Sequence, residues 1–319
     1  MTTQSELHVV LGARGGVGQV VARMLAEQGK RVRAVNRSGK ADLPVGVELL
    51  AADLMQRDAT LAACQGASVV YHCAGAPYNE WASVFPIMME NIIAASSAAG
   101  AKLVFADNCY MYAPTTHPMT EDLPYNPVTH KGAVRKQLAE TLMSAHAQGK
   151  VRAAIGRATD FYGPGVVTST MGERFFKALV AGKRVEWLGK LDQPYAMTYV
   201  DDFARGLIVL GAQDDALGQV WHIPVAEPLT GLQYITLASE VAGIPARPTR
   251  LSAGMLRLVG VFNPIVRELG EMLYEFNGPY LIDGSKYMHK FGGTPTPHRE
   301  AMQYTVAWYK ERADAFAHA

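Results

Sequence analysis

Gly12, Gly15 and Gly18 stand three apart in LGARGGVGQVVARMLAEQG (Leu11–Gly29), between a short apolar run and an amphipathic stretch. A strand, a G-x-x-G-x-x-G turn and a helix in that order make a phosphate cradle. Glycine lets the backbone approach a pyrophosphate, and the helix aims free N–H groups and the positive end of its dipole at the anion. Gly12, Arg14, Gly15, Gly16, Val17 and Gly18 are therefore the first candidates for contact with a dinucleotide. The second apolar run bears on which dinucleotide. It ends in Asn36-Arg37-Ser38, without the carboxylate that normally holds a ribose 2′-hydroxyl. A 2′-phosphate suits a guanidinium with amide and hydroxyl helpers. Arg37, assisted by Asn36, Ser38 and Arg14, points to NADP ahead of NAD; the plainer alternative makes Arg37 a solvated loop residue.

Two later strand ends extend the set. Asp53, followed by Leu54, either accepts a hydrogen bond from an adenine amino group or caps a helix. Cys73, Ala74 and Gly75 are small enough for the chain to pass close to a bound cofactor, and His72 before them reads as a packed histidine rather than an acid–base group.

The elements that must position these residues follow from the apolar pattern. Strands are expected at Leu7–Leu11, Arg31–Val35, Val47–Ala51, Ser68–His72, Leu103–Ala106 and Val151–Ile155. Helices are expected between them at Val17–Gln28, Trp81–Ala99 and Thr129–Gln148. Strands joined by helical crossovers imply an α/β fold with a doubly wound parallel Rossmann sheet. After Gly165 the pattern changes, with helices at Gly172–Ala181, Asp201–Gly211 and Gly231–Ala242 and a short strand at Gln219–Ile223. This divides the chain into a dinucleotide-binding domain over 1–165, with 199–225 returning to it, and a smaller substrate-binding domain formed by 166–198 and 226–319.

Bulk properties narrow the class. The 319 residues are 49% apolar and 18% charged, as expected of a globular enzyme and not of a disordered chain. A net charge of +1 gives no global field for nucleic acid or an anionic membrane. Three scattered cysteines, Cys64, Cys73 and Cys109, suit neither a disulfide framework nor a Cys-rich zinc site, and no metal is expected. The N-terminus lacks a basic segment followed by an apolar one, and no apolar run reaches about 18 residues. A cytoplasmic address and no membrane span are the resulting expectations.

The chain resembles the extended short-chain dehydrogenases/reductases of the NAD-dependent epimerase/dehydratase type. GARGGVG, VVYHCAG (Val69–Gly75), TEDLPYNP (Thr120–Pro127), RATDFYGPG (Arg157–Gly165) and YVDDFARGL (Tyr199–Leu207) carry the resemblance in that order. It implies a serine after the fifth strand and a Tyr-x-x-x-Lys pair for proton chemistry. The sequence departs at all three places. Asn108 stands where the serine is expected, Lys131 in the tyrosine slot and Arg135 in the lysine slot; no tyrosine is followed four positions later by lysine. The resemblance also implies a homodimer paired through the helices at Trp81–Ala99 and Thr129–Gln148.

Physical reasoning suggests what the replacements do. Lys131 and Arg135 lie one helical turn apart, so the two cations repel, which favours Lys131 as a general acid–base, and Lys131 is also a candidate cofactor contact. Asn108 can donate to a developing oxyanion, and Arg135 can hold a ribose or a substrate carboxylate. Tyr110 and Tyr112 follow Asn108 at the strand end and are either replacement acids or pocket walls. Tyr78, Trp81 and Met111 suggest an apolar or aromatic substrate pocket, with Asp160 and Tyr162 on the loop that would close it. The bland alternative is a decayed site in which Lys131 and Arg135 are solvated helix residues. Three readings follow: an NADP(H)-dependent oxidoreductase acting on a small carbonyl or alcohol, an epimerase, dehydratase or lyase that uses a tightly bound nicotinamide transiently, and a non-catalytic dinucleotide-sensing regulator.

Overall fold

A computed structural model describes residues 6–252, 254 and 270–312. In chain order the first half contains β1 (Leu7–Leu11), α1 (Gly16–Glu27), β2 (Arg31–Asn36), β3 (Glu48–Ala51), α2 (Arg57–Cys64) and β4 (Val69–His72), then a 3-10 turn (Tyr78–Glu80), α3 (Trp81–Ala99), β5 (Lys102–Asp107), α4 (His130–Ala147) and β6 (Arg152–Arg157). The second half holds β7 (Phe161–Tyr162), α5 (Glu173–Val180), β8 (Arg184–Leu188), β9 (Pro194–Tyr195), β10 (Thr198–Tyr199), α6 (Val200–Ala212) and β11 (Val220–His222). It continues with β12 (Leu229–Thr230), α7 (Gly231–Ala242), β13 (Arg247–Leu251), a 3-10 segment (Met272–Phe276), α8 (Ser285–Phe291) and α9 (His298–Glu311).

Seven strands form one parallel sheet in the order β11-β6-β5-β4-β1-β2-β3. The central strands β1 (LHVVL) and β4 (VVYH) are buried at every position, because helices cover both faces of a parallel sheet. The order reverses between β1 and β4, and the crevice at such a switch point, outside the carboxyl ends of the strands, is where open α/β sheets take ligands.

The chain falls into two compact units. The first comprises the described residues up to Met111, Tyr125–Ala158 and Phe203–Ile223; the second comprises Tyr112–Pro124, Thr159–Asp202 and the described residues from Pro224 onward. The division read from the sequence differs at four places: residues 112–124, 159–165, 199–202 and 224–225 fall in the second unit. In that unit β8 pairs in parallel with β13, β7 with β10, and β9 antiparallel to β12, while α5, α7 and α9 pack on one another.

Helix α3 packs on α2, α4, β4 and β5, burying Trp81, Phe85, Met88, Met89 and Ile92. By length and composition alone, Tyr78–Ala99 reaches the mean hydropathy, 1.2, that a membrane-crossing helix would need. Its apolar length serves the sheet and two neighbouring helices at once, which asks for more than one buried face.

Candidate active site

The glycine turn is fixed from both sides. Gly12 and Ala13 donate their N–H groups to the Val35 carbonyl at 2.9 and 3.1 Å, tying the turn to the end of β2. Gly12 has φ +85°, and a Cβ there would lie 2.4 Å from Ala74 Cα, just beyond β4. A Cβ on Gly18 would lie 2.4 Å from the Gly12 carbonyl oxygen, so α1 can start against the turn only without one. Gly15, the N-cap of α1, supplies no side-chain cap, which leaves the amides of the first helical turn open to an anion.

A cleft of about 530 Å³ opens over this turn. Of the sequence candidates for dinucleotide contact, Gly12, Arg14, Gly15, Asn36, Arg37, Ser38, Asp53, Leu54, Cys73, Ala74 and Gly75 line it together. Gly16, Val17, Gly18 and Lys131 are not among its lining residues; the first three form the opening turn of α1. Sequence reading missed Ala52, Met55, Ala76, Pro77, Glu80 and Val84, while Met88 reads from the sequence as part of an apolar substrate crevice. Val84 and Met88, four apart on α3, carried the signal of a shared helix face.

At the end of β2, Asn36 has a different job from the one expected. Its Oδ1 accepts from Ser38 N at 2.9 Å and Ser38 Oγ at 2.8 Å, while Nδ2 donates to the Lys40 carbonyl at 3.2 Å. The amide oxygen and one of its two N–H donors build the turn that presents Arg37. Arg37 and Arg14 are both exposed on the cleft. Asp53 is not a helix cap: its Oδ1 accepts from Met55 N at 3.1 Å, and Gln56 is the N-cap of α2.

At the end of β4, His72 is wholly buried and stacks on Phe105 with ring centroids 4.9 Å apart. Burial, reinforced by Arg135, pushes its imidazole down to about 3, so it stays neutral. Burial also pushes the Cys73 thiol up to about 12, so it stays protonated.

The C-terminal end of β5 meets the start of α4. Thr129 caps α4 by accepting from Gly132 N at 3.0 Å. A Cβ on Gly132 would lie 2.3 Å from the Tyr110 carbonyl oxygen, so this glycine brings the helix against the loop that leaves β5. Lys131 and Arg135 are 3% and 9% exposed, which rules out their reading as solvated helix residues.

Arg135 is also corrected as a ribose or carboxylate ligand. Its guanidinium pairs with Asp107 at 3.5 Å and lies 4.5 Å from the Trp81 ring and 4.7 Å from the Phe85 ring. Arg157 Nε pairs with the other oxygen of Asp107 at 3.0 Å, and its Nη2 donates to the Tyr125 hydroxyl at 2.7 Å. Asp107 thus holds two buried cations. Its charge also offsets that of Arg135, which weakens the repulsion expected to act on Lys131.

The remaining groups at this end form a second cluster. Lys131 Nζ lies 5.2 Å from the centre of the Tyr78 ring, and the Tyr78 and Tyr110 hydroxyls are 3.1 Å apart. Trp81 stacks on Tyr78 at 4.9 Å and on Tyr110 at 6.0 Å, its own N–H donating to the Ala76 carbonyl. Asn108 Oδ1 accepts from Tyr110 N at 3.2 Å, which turns the amide nitrogen the other way.

Three expected pocket or catalytic residues are buried instead. Met111 and Tyr112 are 0% and 2% exposed, and the Tyr162 hydroxyl bonds His298 Nδ1 at 2.8 Å. Packing removes the surface they would offer a substrate. Asp160 accepts from Phe161 N and Thr170 N at 3.0 and 2.9 Å, bracing the loop after Thr159, and burial raises its carboxyl above the usual range.

The sheet order, the glycine turn and the cleft above it define a Rossmann-type α/β protein of the extended short-chain dehydrogenase class. The model of the NAD dependent epimerase/dehydratase family matches residues 8–223, and the chain belongs to that family. Among relatives, y4nL of Sinorhizobium fredii is 25% identical, covering 99% of this chain and 98% of its own. The 2-alkyl-3-oxoalkanoate reductase of Stenotrophomonas maltophilia is 26% identical, covering 82% of this chain and 85% of its own. Among solved structures, the UDP-glucuronic acid 4-epimerase of Bacillus cereus, in complex with UDP-glucuronic acid and NAD, superposes with a TM-score of 0.78. It is 18% identical and covers 96% of this chain and 99% of its own.

Proposed function

We propose that the chain is an NADP(H)-dependent oxidoreductase that interconverts a small apolar or aromatic carbonyl compound and its alcohol. The observation that carries this reading is the pair of exposed guanidiniums, Arg14 and Arg37, on the cleft above the glycine turn, where β2 ends without a carboxylate. A dinucleotide fits these residues: Gly12 leaves no side chain in the way, and α1 opens without a side-chain cap.

In this reading Arg37 and Arg14 grip the 2′-phosphate, and the amides of Gly16, Val17 and Gly18 hold the pyrophosphate. Asp53 and Leu54 border the adenine, while Cys73, Ala74 and Gly75 let the nicotinamide half pass. When bound, the reduced nicotinamide supplies a hydride. Asn108 donates to the oxygen that gains charge, and Lys131 with Tyr110 belongs to the proton machinery. The aromatic wall of Tyr78 and Trp81 suits an apolar substrate. Likeness to a reductase of oxo acids supports carbonyl chemistry. A second reading, an epimerase or dehydratase with a tightly held cofactor, draws on the likeness to the Bacillus cereus epimerase, whose structure holds NAD.

Calorimetric titration with NADPH, NADP⁺, NADH and NAD⁺ tests the cofactor. Binding of NADPH at least about tenfold tighter than NADH, as one charge-assisted contact supplies, supports the reading. Equal or NADH-favouring affinity overturns the NADP assignment, and no binding removes the enzyme reading. Turnover without net change in absorbance at about 340 nm, the reduced nicotinamide band, favours the epimerase or dehydratase.

A further inference from the structure

A carbonyl oxygen that receives an electron pair must also receive a proton. The family's tyrosine slot holds Lys131, and the lysine slot holds an arginine locked to Asp107. Tyr78 comes from another element altogether. It lies in the segment from Gly75 to Glu80, and the residues on both sides of it, Pro77 and Glu80, line the dinucleotide cleft. Its ring is half-buried and held face to face with Trp81 at an interplanar angle of 10°. Lys131 reaches it from α4 and Tyr110 from the end of β5.

We propose that Tyr78 is the catalytic acid of carbonyl reduction, with Lys131 and Tyr110 stabilising its phenolate. The proposal rests on the reductase reading above. It amounts to a tyrosine–lysine pair rebuilt across two elements instead of along one helix.

The physical case has three parts. Lys131 is 3% exposed and its Nζ lies 5.2 Å from the centre of the Tyr78 ring, so little water screens its charge from a phenolate there. The Tyr110 hydroxyl, 3.1 Å away, can donate to a Tyr78 phenolate as readily as to the phenol. The stack on Trp81 fixes the ring, so the oxygen needs little reorganisation as charge develops.

The step balances. The carbonyl carbon accepts hydride from the reduced nicotinamide, the C=O π pair moves onto oxygen, and that oxygen takes the Tyr78 hydroxyl proton. The phenolate recovers a proton from water as the alcohol leaves. One carbonyl, one reduced cofactor and one proton become one alcohol and one oxidised cofactor. Tyr78 is the catalytic residue; Lys131 and Tyr110 are positioning residues in this scheme.

The test uses the full chain and a panel of benzaldehyde, acetophenone and methyl nonyl ketone with NADPH. Tyr78→Phe keeps the stack and should lower kcat by about 10²–10⁴-fold, with NADPH affinity within about twofold of wild type. Lys131→Met should shift the alkaline limb of the pH profile to higher pH, with partial rescue by Lys131→Arg. A second readout needs no cofactor. Tetranitromethane attacks phenolates, so at neutral pH mass mapping should find Tyr78 nitrated ahead of the exposed Tyr304, and more slowly in Lys131→Met. Wild-type turnover in Tyr78→Phe overturns the assignment, as does nitration of Tyr304 first. Lys131-dependent nitration in a wild type that reduces none of the panel would support the activated phenol and overturn the reductase reading.

Discussion

Asp107 faces two guanidiniums from different elements, Arg135 on α4 and Arg157 at the end of β6, and all three side chains are buried. Removing the shared anion leaves two cations uncompensated in a poorly polarisable interior. Asp107→Asn should therefore cost about 3–5 kcal/mol of stability, read from urea denaturation; a loss within 0.5 kcal/mol, the scatter of ordinary surface changes, would refute this account. Arg135→Met tests its corrected role, because it should lower Tm by a few degrees and leave NADPH affinity unchanged. The reverse pattern would return Arg135 to the cofactor. Arg37→Ala should weaken NADPH binding about 10–100-fold and leave NADH binding alone, measured by calorimetry. The residue scale also shows why sequence reading ran out here. Spacing placed Lys131 and Arg135 on one helical turn, but the partner of Arg135 lies 28 positions away and the hydroxyl partner of Tyr78 lies 32 away. Local periodicity carries no information on pairs made by the fold.

Elements were legible where their pattern is strong and local. The strand expected at Leu7–Leu11 has those bounds, and the helices expected at Trp81–Ala99 and Gly231–Ala242 also match theirs. Helix α2, RDATLAAC, escaped because six of its eight residues are polar or alanine and only Thr60, Ala63 and Cys64 face the interior. Helix α9, HREAMQYTVAWYKE, lies beyond the last helix expected from the sequence, although its buried stripe of Ala301, Met302, Thr305, Val306 and Tyr309 keeps helical spacing, with a threonine inside it. The junction of α4 with β5 yields the prediction at this scale. Gly132→Ala drives a methyl group into the Tyr110 carbonyl, so α4 must back away from the loop that carries Asn108 and Tyr110. The cost should be about 1–3 kcal/mol, read from denaturant midpoints. Loss of carbonyl reduction should accompany it, whereas unchanged stability and activity would mean the contact relaxes freely.

Buried ionisable groups give the whole molecule opposed pH limbs, with one in each compact unit. Folding lowers the imidazole of His72 from 6.5 to about 3, so its contribution is complete above 6.5 and is lost as pH falls toward 3. Burial raises the Glu275 carboxyl well above 4.5, so its contribution is complete below 4.5 and is lost as pH rises. Asp160, also raised by burial, adds to that alkaline limb. Between 4.5 and 6.5 the slope from His72 rises with pH while that from Glu275 falls, so the two oppose one another across that window. Denaturation free energies measured across pH should show His72→Phe flattening the acid limb and Glu275→Gln the alkaline one. Unchanged limbs in both variants would assign the pH dependence to other groups.

The protonated thiol beside the glycine turn has a practical reach beyond the cleft. Burial pushes Cys64 as well as Cys73 up to about 12, and Cys109 is buried with its Sγ 3.6 Å from the Ala158 carbonyl. Native thiols of this kind are slow toward iodoacetamide and maleimides, which attack the thiolate. A cysteine introduced at the fully exposed Val45 should therefore react ahead of the buried Cys64 and Cys109 and the half-buried Cys73, with all three native cysteines left in place.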